Sequence, residues 1–132
     1  MTGLARTGTI DETTIARLVD TFYARARADA QLGPVFTAAV EDWPTHMATL
    51  KAFWSSVMLR SGRYKGNPFA VHKALPLQPE LFAVWLGLWR ATTGDIFTPE
   101  AAALFDQKAL QIAQSLKAGL FPFRPQEAGA PL

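Results

Sequence analysis

Between Pro79 and about Thr93 the chain places Leu81, Phe82, Val84, Trp85, Leu86, Leu88 and Trp89 around most of a helical circumference. A helix that is apolar nearly all round cannot face water, so other elements must enclose it. Trp85 lies at its middle. No segment shows the period-two alternation of β-branched residues that marks strands, so the enclosing elements are helices as well. The sequence predicts an all-α fold.

The enclosing helices are clearly punctuated. Thr9-Ile10-Asp11-Glu12 has the spacing of a capping box, with Thr9 as cap and Glu12 reaching back to its amide. Ile15, Leu18, Val19, Phe22 and Ala26 then recur at three- and four-residue steps, with Tyr23 at the margin of the apolar face and an end between Ala28 and Ala30. Leu32-Gly33-Pro34-Val35-Phe36 predicts a connector or a single helical turn with Phe36 driven inward. Asp42 caps a second long helix that carries Pro44 in its first turn. One of its stripes is His46, Leu50, Phe53 and Val57, the adjoining one Met47, Leu50, Trp54 and Met58, and Gly62 is its stop.

The stretch from Gly62 to Leu77 opens as a basic loop, Arg63-Tyr64-Lys65, and continues with Asn67 as cap and Pro68 at the first helical position. Phe69 and His72 share a face of this short piece, which Pro76 and Pro79 end at once. Gly94 stops the central helix, and Thr98-Pro99-Glu100 opens the last one, whose core stripe is Phe105, Ala109, Ile112 and Leu116 and whose end is Gly119. Residues 1–8 read as a disordered leader, 9–123 as one domain and 124–132 as a disordered tail.

Composition narrows the function. Thirteen basic and eleven acidic residues leave a formal charge of +2 without a basic stripe, which disfavours nucleic acid and anionic membranes as partners. The chain has no cysteine, which excludes disulfide staples, thiolate metal sites and cysteine nucleophiles and leaves imidazole and carboxylate as metal ligands. No apolar run approaches the roughly 18 to 20 residues of a spanning helix and the N-terminus shows no signal-peptide core, so the expected location is cytoplasmic. Walker, dinucleotide-binding and serine-elbow motifs are absent, as are internal repeats. Asp11, Asp42, Glu80 and Glu100 all stand where helices begin, so capping accounts for them and no carboxylate pair is left for acid–base work.

Nine Phe, four Trp and two Tyr either pack on one another or enclose a flat guest. His46 and His72 both lie on apolar sides of helices among these rings. An imidazole beside an aromatic cavity suits axial ligation of haem iron, and a satisfied core histidine produces the same pattern. Tyr23 fits a buried ring with a wet hydroxyl, and Phe53, Trp54 and Trp85 fit ordinary core. Arg60, Arg63 and Lys65 read as a solvated loop that could meet anionic carboxylates.

The ordered combination of Phe22-Tyr23, Leu32-Gly33-Pro34-Val35-Phe36, Trp43-Pro44-Thr45-His46, Phe53-Trp54-Ser55-Ser56-Val57, Gly62-Arg63-Tyr64-Lys65-Gly66-Asn67-Pro68, His72 and Trp85-Leu86 resembles the third group of bacterial truncated globins. The resemblance covers about residues 10–121. It implies a truncated globin fold, a 2-over-2 helical sandwich around a b-type haem, iron protoporphyrin IX. His72 matches the proximal iron ligand, and Tyr23, His46 and Trp85 match distal positions. Phe36 matches an aromatic wedge against the porphyrin, and Phe53 and Trp54 an aromatic pair lining the pocket. Arg63, Tyr64 and Lys65 lie where propionate contacts are sought. The paired-glycine turns of the first two groups are absent, and Gly33-Pro34 stands where one would fall.

The implied function is reversible binding of dioxygen, nitric oxide and carbon monoxide, with a polar distal side suited to redox chemistry on dioxygen, nitric oxide or peroxide. Nitric oxide dioxygenation or a peroxidase-like reaction would need a reductase. A ligand reservoir or sensor without turnover, and a haem-free helical interaction module, are the alternatives.

Overall fold

A computed structural model describes residues 5–66 and 79–120. His72, the helical piece that carries it and the tail at 124–132 lie outside the described residues, as do residues 1–4 of the leader. Among the described residues the chain forms α1 (Glu12–Ala28), α2 (Leu32–Ala39), α3 (Trp43–Leu59), α4 (Pro79–Ile96) and α5 (Pro99–Leu120). Among the described residues the fold is all-α. No described helix is long and apolar enough to cross a membrane.

The start of α1 differs from the sequence expectation by two residues. Asp11, not Thr9, is the cap: its carboxylate accepts from the Thr14 amide at 2.9 Å, and the Thr14 hydroxyl accepts from the Asp11 amide at 2.9 Å. Asp11-Thr14 closes the reciprocal box that Thr9-Glu12 was expected to close. The shift leaves Ile10 just outside the helix, where it packs against the cluster containing Ile15, the arrangement of a hydrophobic staple. It also releases Glu12 from capping. The buried face of α1 is Ile15, Leu18, Val19, Phe22, Tyr23 and Ala26.

Leu32–Phe36 is the beginning of the eight-residue helix α2 rather than a connector or a lone turn. Asp29 makes this possible, because its Oδ2 accepts from the amides of Gln31 and Leu32 at 2.8 and 2.9 Å and satisfies donors that α2 cannot satisfy itself. Pro34 sits in the first turn, where no internal hydrogen bond is lost. Gly33 is required for a different reason: a Cβ there would stand 2.5 Å from the Arg27 carbonyl oxygen at the end of α1. The two helices can approach this closely only without a side chain.

α3 opens as the sequence indicates, with Asp42 accepting from the Thr45 amide at 3.2 Å and its hydroxyl at 2.7 Å. Its end is different. The left-handed residue is Arg60, at φ 58° and ψ 35°, and Gly62, the expected stop, takes a second positive φ of 74° two residues on. α4 likewise runs past the expected stop at Gly94 to Ile96. Tertiary contacts carry it onward: Asp95 pairs with Arg25 at 2.9 Å, while Ile96 and Phe97 are buried. Thr98 opens α5, its carbonyl accepting from the Ala102 amide at 2.8 Å, and that helix continues through Gly119 to Leu120.

Only Phe97 and Thr98 separate α4 from α5, so the two fold back on each other and make the most extensive helix pair among the described residues. α1 packs on α2, α3 and α4 and ties the rest together. The segment ahead of α1 also reaches this joint. The Thr7 amide donates to the Ile96 carbonyl at 3.0 Å, and the Thr98 amide donates to the Thr7 carbonyl at 2.9 Å. Arg6 donates to the Gly94 carbonyl, so residues 6 and 7 of the expected leader make defined contacts at a helix end, where carbonyls lack internal partners.

At the centre, Trp89 is fully buried between two other indoles, Trp54 at 4.5 Å and 21° and Trp85 at 5.5 Å and 11°. Phe22 meets Trp89 edge-on at 5.0 Å, and Phe105 packs on Phe97 at 4.7 Å. Each buried ring of this size typically contributes about 3 to 5 kcal/mol when judged by truncation.

Two glycines in these helices should respond oppositely to alanine. Gly33→Ala drives a methyl into backbone and should lower stability by roughly 1 to 3 kcal/mol. Gly94→Ala places its methyl in open space within a helix and should raise stability by about 0.5 to 1 kcal/mol. Denaturant unfolding of the two variants beside the parent chain measures both.

Candidate functional site

Beside the tryptophan stack is a cavity of about 480 Å³ to which each of the five described helices and the loop after α3 contribute. This lies within the roughly 300 to 1000 Å³ usual for small-molecule sites. The inner wall is apolar: Phe36 from α2, Leu50, Phe53 and Trp54 from α3, Leu81, Phe82 and Trp85 from α4, and Ile112, Ala113 and Leu116 from α5. Exposed Glu41, Asp42, Thr45 and Thr49 also line it and form a polar rim along the start of α3.

Of the residues singled out in the sequence, Tyr23, Phe36, His46, Phe53, Trp54, Tyr64 and Trp85 all line this one cavity. They come from four helices and a loop. Arg63 and Lys65 do not line it. The Arg63 guanidinium pairs with Glu12, and Lys65 is exposed. His72 lies outside the described residues.

Helical spacing explains how His46, Leu50 and Phe53 meet the cavity together, one above another at three- and four-residue steps along α3. Trp54, one residue further round, reaches both the cavity and the buried stack. Tyr23 is held by rings on three sides: Phe22 at 4.7 Å, Phe36 at 5.5 Å and His46 at 6.0 Å, all edge-on. Trp43 supports this cluster from outside, 5.4 Å from His46 and 6.3 Å from Phe36, with the Arg27 guanidinium 4.1 Å above its ring. Sequence reasoning did not place Trp43 there.

Tyr23 is 5% exposed, and burial pushes its phenol well above the ordinary value of 10.0 because the phenolate would lose its hydration. A hydrogen bond with the Trp85 side chain acts in the opposite sense and is the weaker influence. Tyr23 is therefore a neutral phenol. Since an indole N–H only donates, it is the Tyr23 oxygen that accepts from Trp85, and the phenol keeps its own hydrogen to offer. Tyr64 forms the wall next to Phe53, ring centroids 5.1 Å apart, and partial burial raises its phenol as well.

The sequence also did not distinguish the floor of the cavity. Ile112 and Leu116 were read as core stripe, and they do pack inward. A helix shows the same i, i+4 spacing whether it meets another helix or a guest, so no signal could have separated the two. The cavity suits a flat, largely apolar molecule. Seven aromatic side chains face it, and the polar groups among its lining rings are an imidazole, indoles and phenols, all able to donate hydrogen bonds. A porphyrin has that shape and chemistry.

No protein-family model matches the chain. The chain is 33% identical over 120 residues to the group 3 truncated haemoglobin of Campylobacter jejuni, an alignment that spans 87% of this chain and 94% of that protein. The crystal structure of the group III truncated haemoglobin from Campylobacter jejuni superposes with a TM-score of 0.85 at 31% identity, covering 91% of this chain and 98% of that one. With its all-α fold, its aromatic cavity and this extent of similarity, the chain belongs to the group 3 truncated haemoglobins, which are haem-binding globins.

Proposed function

We propose that this globin holds a b-type haem through His72 and uses Tyr23, Trp85 and His46 as the distal residues that stabilise a small ligand. The observation that carries this reading is the convergence of Tyr23, Trp85 and His46, from three different helices, on one otherwise apolar cavity. Haem iron, when bound, supplies a coordination position for a diatomic gas and a redox couple. Phe36, Phe53, Trp54 and Phe82 supply the flat apolar surfaces that exclude water from the guest. Tyr23 offers its hydroxyl hydrogen, and the Trp85 N–H steadies the phenol by donating to its oxygen. Burial keeps Tyr23 protonated, so it remains a donor across the physiological range.

A polar distal side of this kind favours retention of a ligand that carries partial negative charge over its easy release. It suits redox chemistry on dioxygen, nitric oxide or peroxide with electrons from a reductase. Sustained nitric oxide consumption over many turnovers, with a reductase supplied, tests this activity. A single stoichiometric burst would instead assign a reservoir or sensor role.

His72→Ala should abolish or severely weaken haemin retention, read from the Soret band, and unchanged spectra would remove His72 as ligand. Tyr23→Phe should speed dioxygen release, read by stopped flow. A lost hydrogen bond worth about 1 to 2 kcal/mol in a dry pocket corresponds to roughly five- to thirtyfold.

The raised Tyr23 value also has a consequence for stability. The unfolded chain releases this proton near 10.0, before the folded chain does, so the folded state binds more protons above that pH. The contribution of Tyr23 is therefore intact below pH 10.0 and is lost progressively as pH rises toward the folded-state value. Near-ultraviolet difference titration should find neither tyrosine ionising at the ordinary value, and Tyr23→Phe should flatten the alkaline fall of the melting temperature.

A further inference from the structure

Glu12 belongs to no site described so far. Asp11 and Thr14 complete the cap of α1 without it, and its carboxylate turns instead toward the far end of α3. There the Ser55 hydroxyl, on a fully buried residue, donates to Glu12 Oε2 at 2.6 Å. The Ser61 hydroxyl lies 2.7 Å from the same Ser55 oxygen, and because a carboxylate only accepts, Ser55 gives its proton to Glu12 and accepts one from Ser61. The Arg63 guanidinium bonds the other carboxylate oxygen, Oε1, and the Arg63 amide donates to Ser61 Oγ at 3.3 Å. One carboxylate thus gathers the start of α1, the end of α3 and the loop that follows.

That loop carries a cavity wall. Tyr64, next after Arg63, donates its amide to Ser56 Oγ at 2.8 Å and sets its ring against Phe53. Against the hydroxyl end of that ring is Gly66, where a Cβ would stand 2.5 Å from the Tyr64 hydroxyl oxygen and 2.7 Å from Cζ. Gly66 leaves room for the ring, Phe53 supports it, and the Glu12 network fixes the backbone from which it projects. The exposed Arg63–Glu12 pair alone would be worth little. The buried Ser55 hydroxyl is what makes the network matter: without the carboxylate its hydrogen turns to Ser61, whose own hydroxyl then loses its acceptor, and the relay no longer ties the loop to α1.

We infer that Glu12 is a positioning residue for the cavity: through Ser55, Ser61 and Arg63 it holds the loop at residues 60–66 so that Tyr64 forms its wall, and it thereby slows loss of the planar guest. Only the part about guest retention rests on the haem-pocket reading given above.

The test uses the full-length chain with Glu12→Ala, Glu12→Gln, Ser55→Ala and Arg63→Ala, and reads amide hydrogen exchange in the haem-free protein. Glu12→Ala and Ser55→Ala should speed exchange at residues 61–64 about tenfold while leaving α5 at the parent rate. Glu12→Gln keeps a carbonyl acceptor for Ser55 and should restore most of the protection, and Arg63→Ala should have the smallest effect. A second reading follows transfer of haemin to an excess of a competing acceptor. Glu12→Ala and Tyr64→Ala should each lose haemin several-fold faster, and the double variant no faster than Tyr64→Ala alone. Unchanged exchange at residues 61–64, an equal rise across α5, or additive haemin loss in the double variant would overturn the inference. If the parent chain binds no haemin, the haem reading fails and the exchange measurement alone decides the role of Glu12.

Discussion

A cavity of about 480 Å³ beside a hydrophobic core tends to collapse, because every wall atom gains dispersion energy by moving inward. Here the walls are stiff. Trp54 and Trp85 face the cavity and are backed by Trp89, which stacks on both and is itself fully buried against Phe22. Indole rings have few rotamers and large contact areas, so the stack cannot fold into the space without unmaking the core. Pocket and core are built from the same rings, which is why a guest bound in the cavity would add directly to the stability of the fold.

The polar groups follow the same economy. Tyr23 is neutral because burial makes its phenolate costly, and the rings of Phe22, Phe36 and His46 that bury it also fix its orientation. Trp85 contributes a face to the stack and its N–H to Tyr23. The charged side chains stay outside. Arg25, Lys51 and Arg63 each pair across elements at exposed or half-buried positions, joining α1 to α4, to α3 and to the loop after α3. Such pairs align helices that the core has already brought together.

Much of this was legible in the chain. The buried faces of α1 and α5, the Asp42 cap and the opening of α5 at Thr98-Pro99 follow from periodicity and local capping chemistry, which depend on neighbours within one or two turns. The misplacements share a cause. Gly94 was read as a stop by its own propensity, but Arg25 and the buried Ile96 and Phe97 hold α4 helical beyond it. Thr9 was read as the cap because Glu12 follows three residues later, whereas Glu12 is engaged by Ser55 and Arg63 from distant parts of the chain. The length of α2 depended on Asp29 and on the absence of a side chain at Gly33, where two backbones meet.

The sequence by itself determined an all-α fold, because helical periodicity and cap chemistry are local, and its resemblance to the truncated globins singled out the aromatic residues and His46 that line the pocket. Only the tertiary structure decided which of those residues face a shared space. It brought Tyr23, Phe36, His46, Phe53, Trp54, Tyr64 and Trp85 to one cavity and turned Arg63 away from it toward Glu12. The Gly62 loop, which as sequence is a run of basic residues, became a cavity wall through Tyr64. The reason is physical: an apolar stripe specifies that a helix face must be buried but not whether a ring or a guest will cover it, and that choice is made where helices distant in the chain meet.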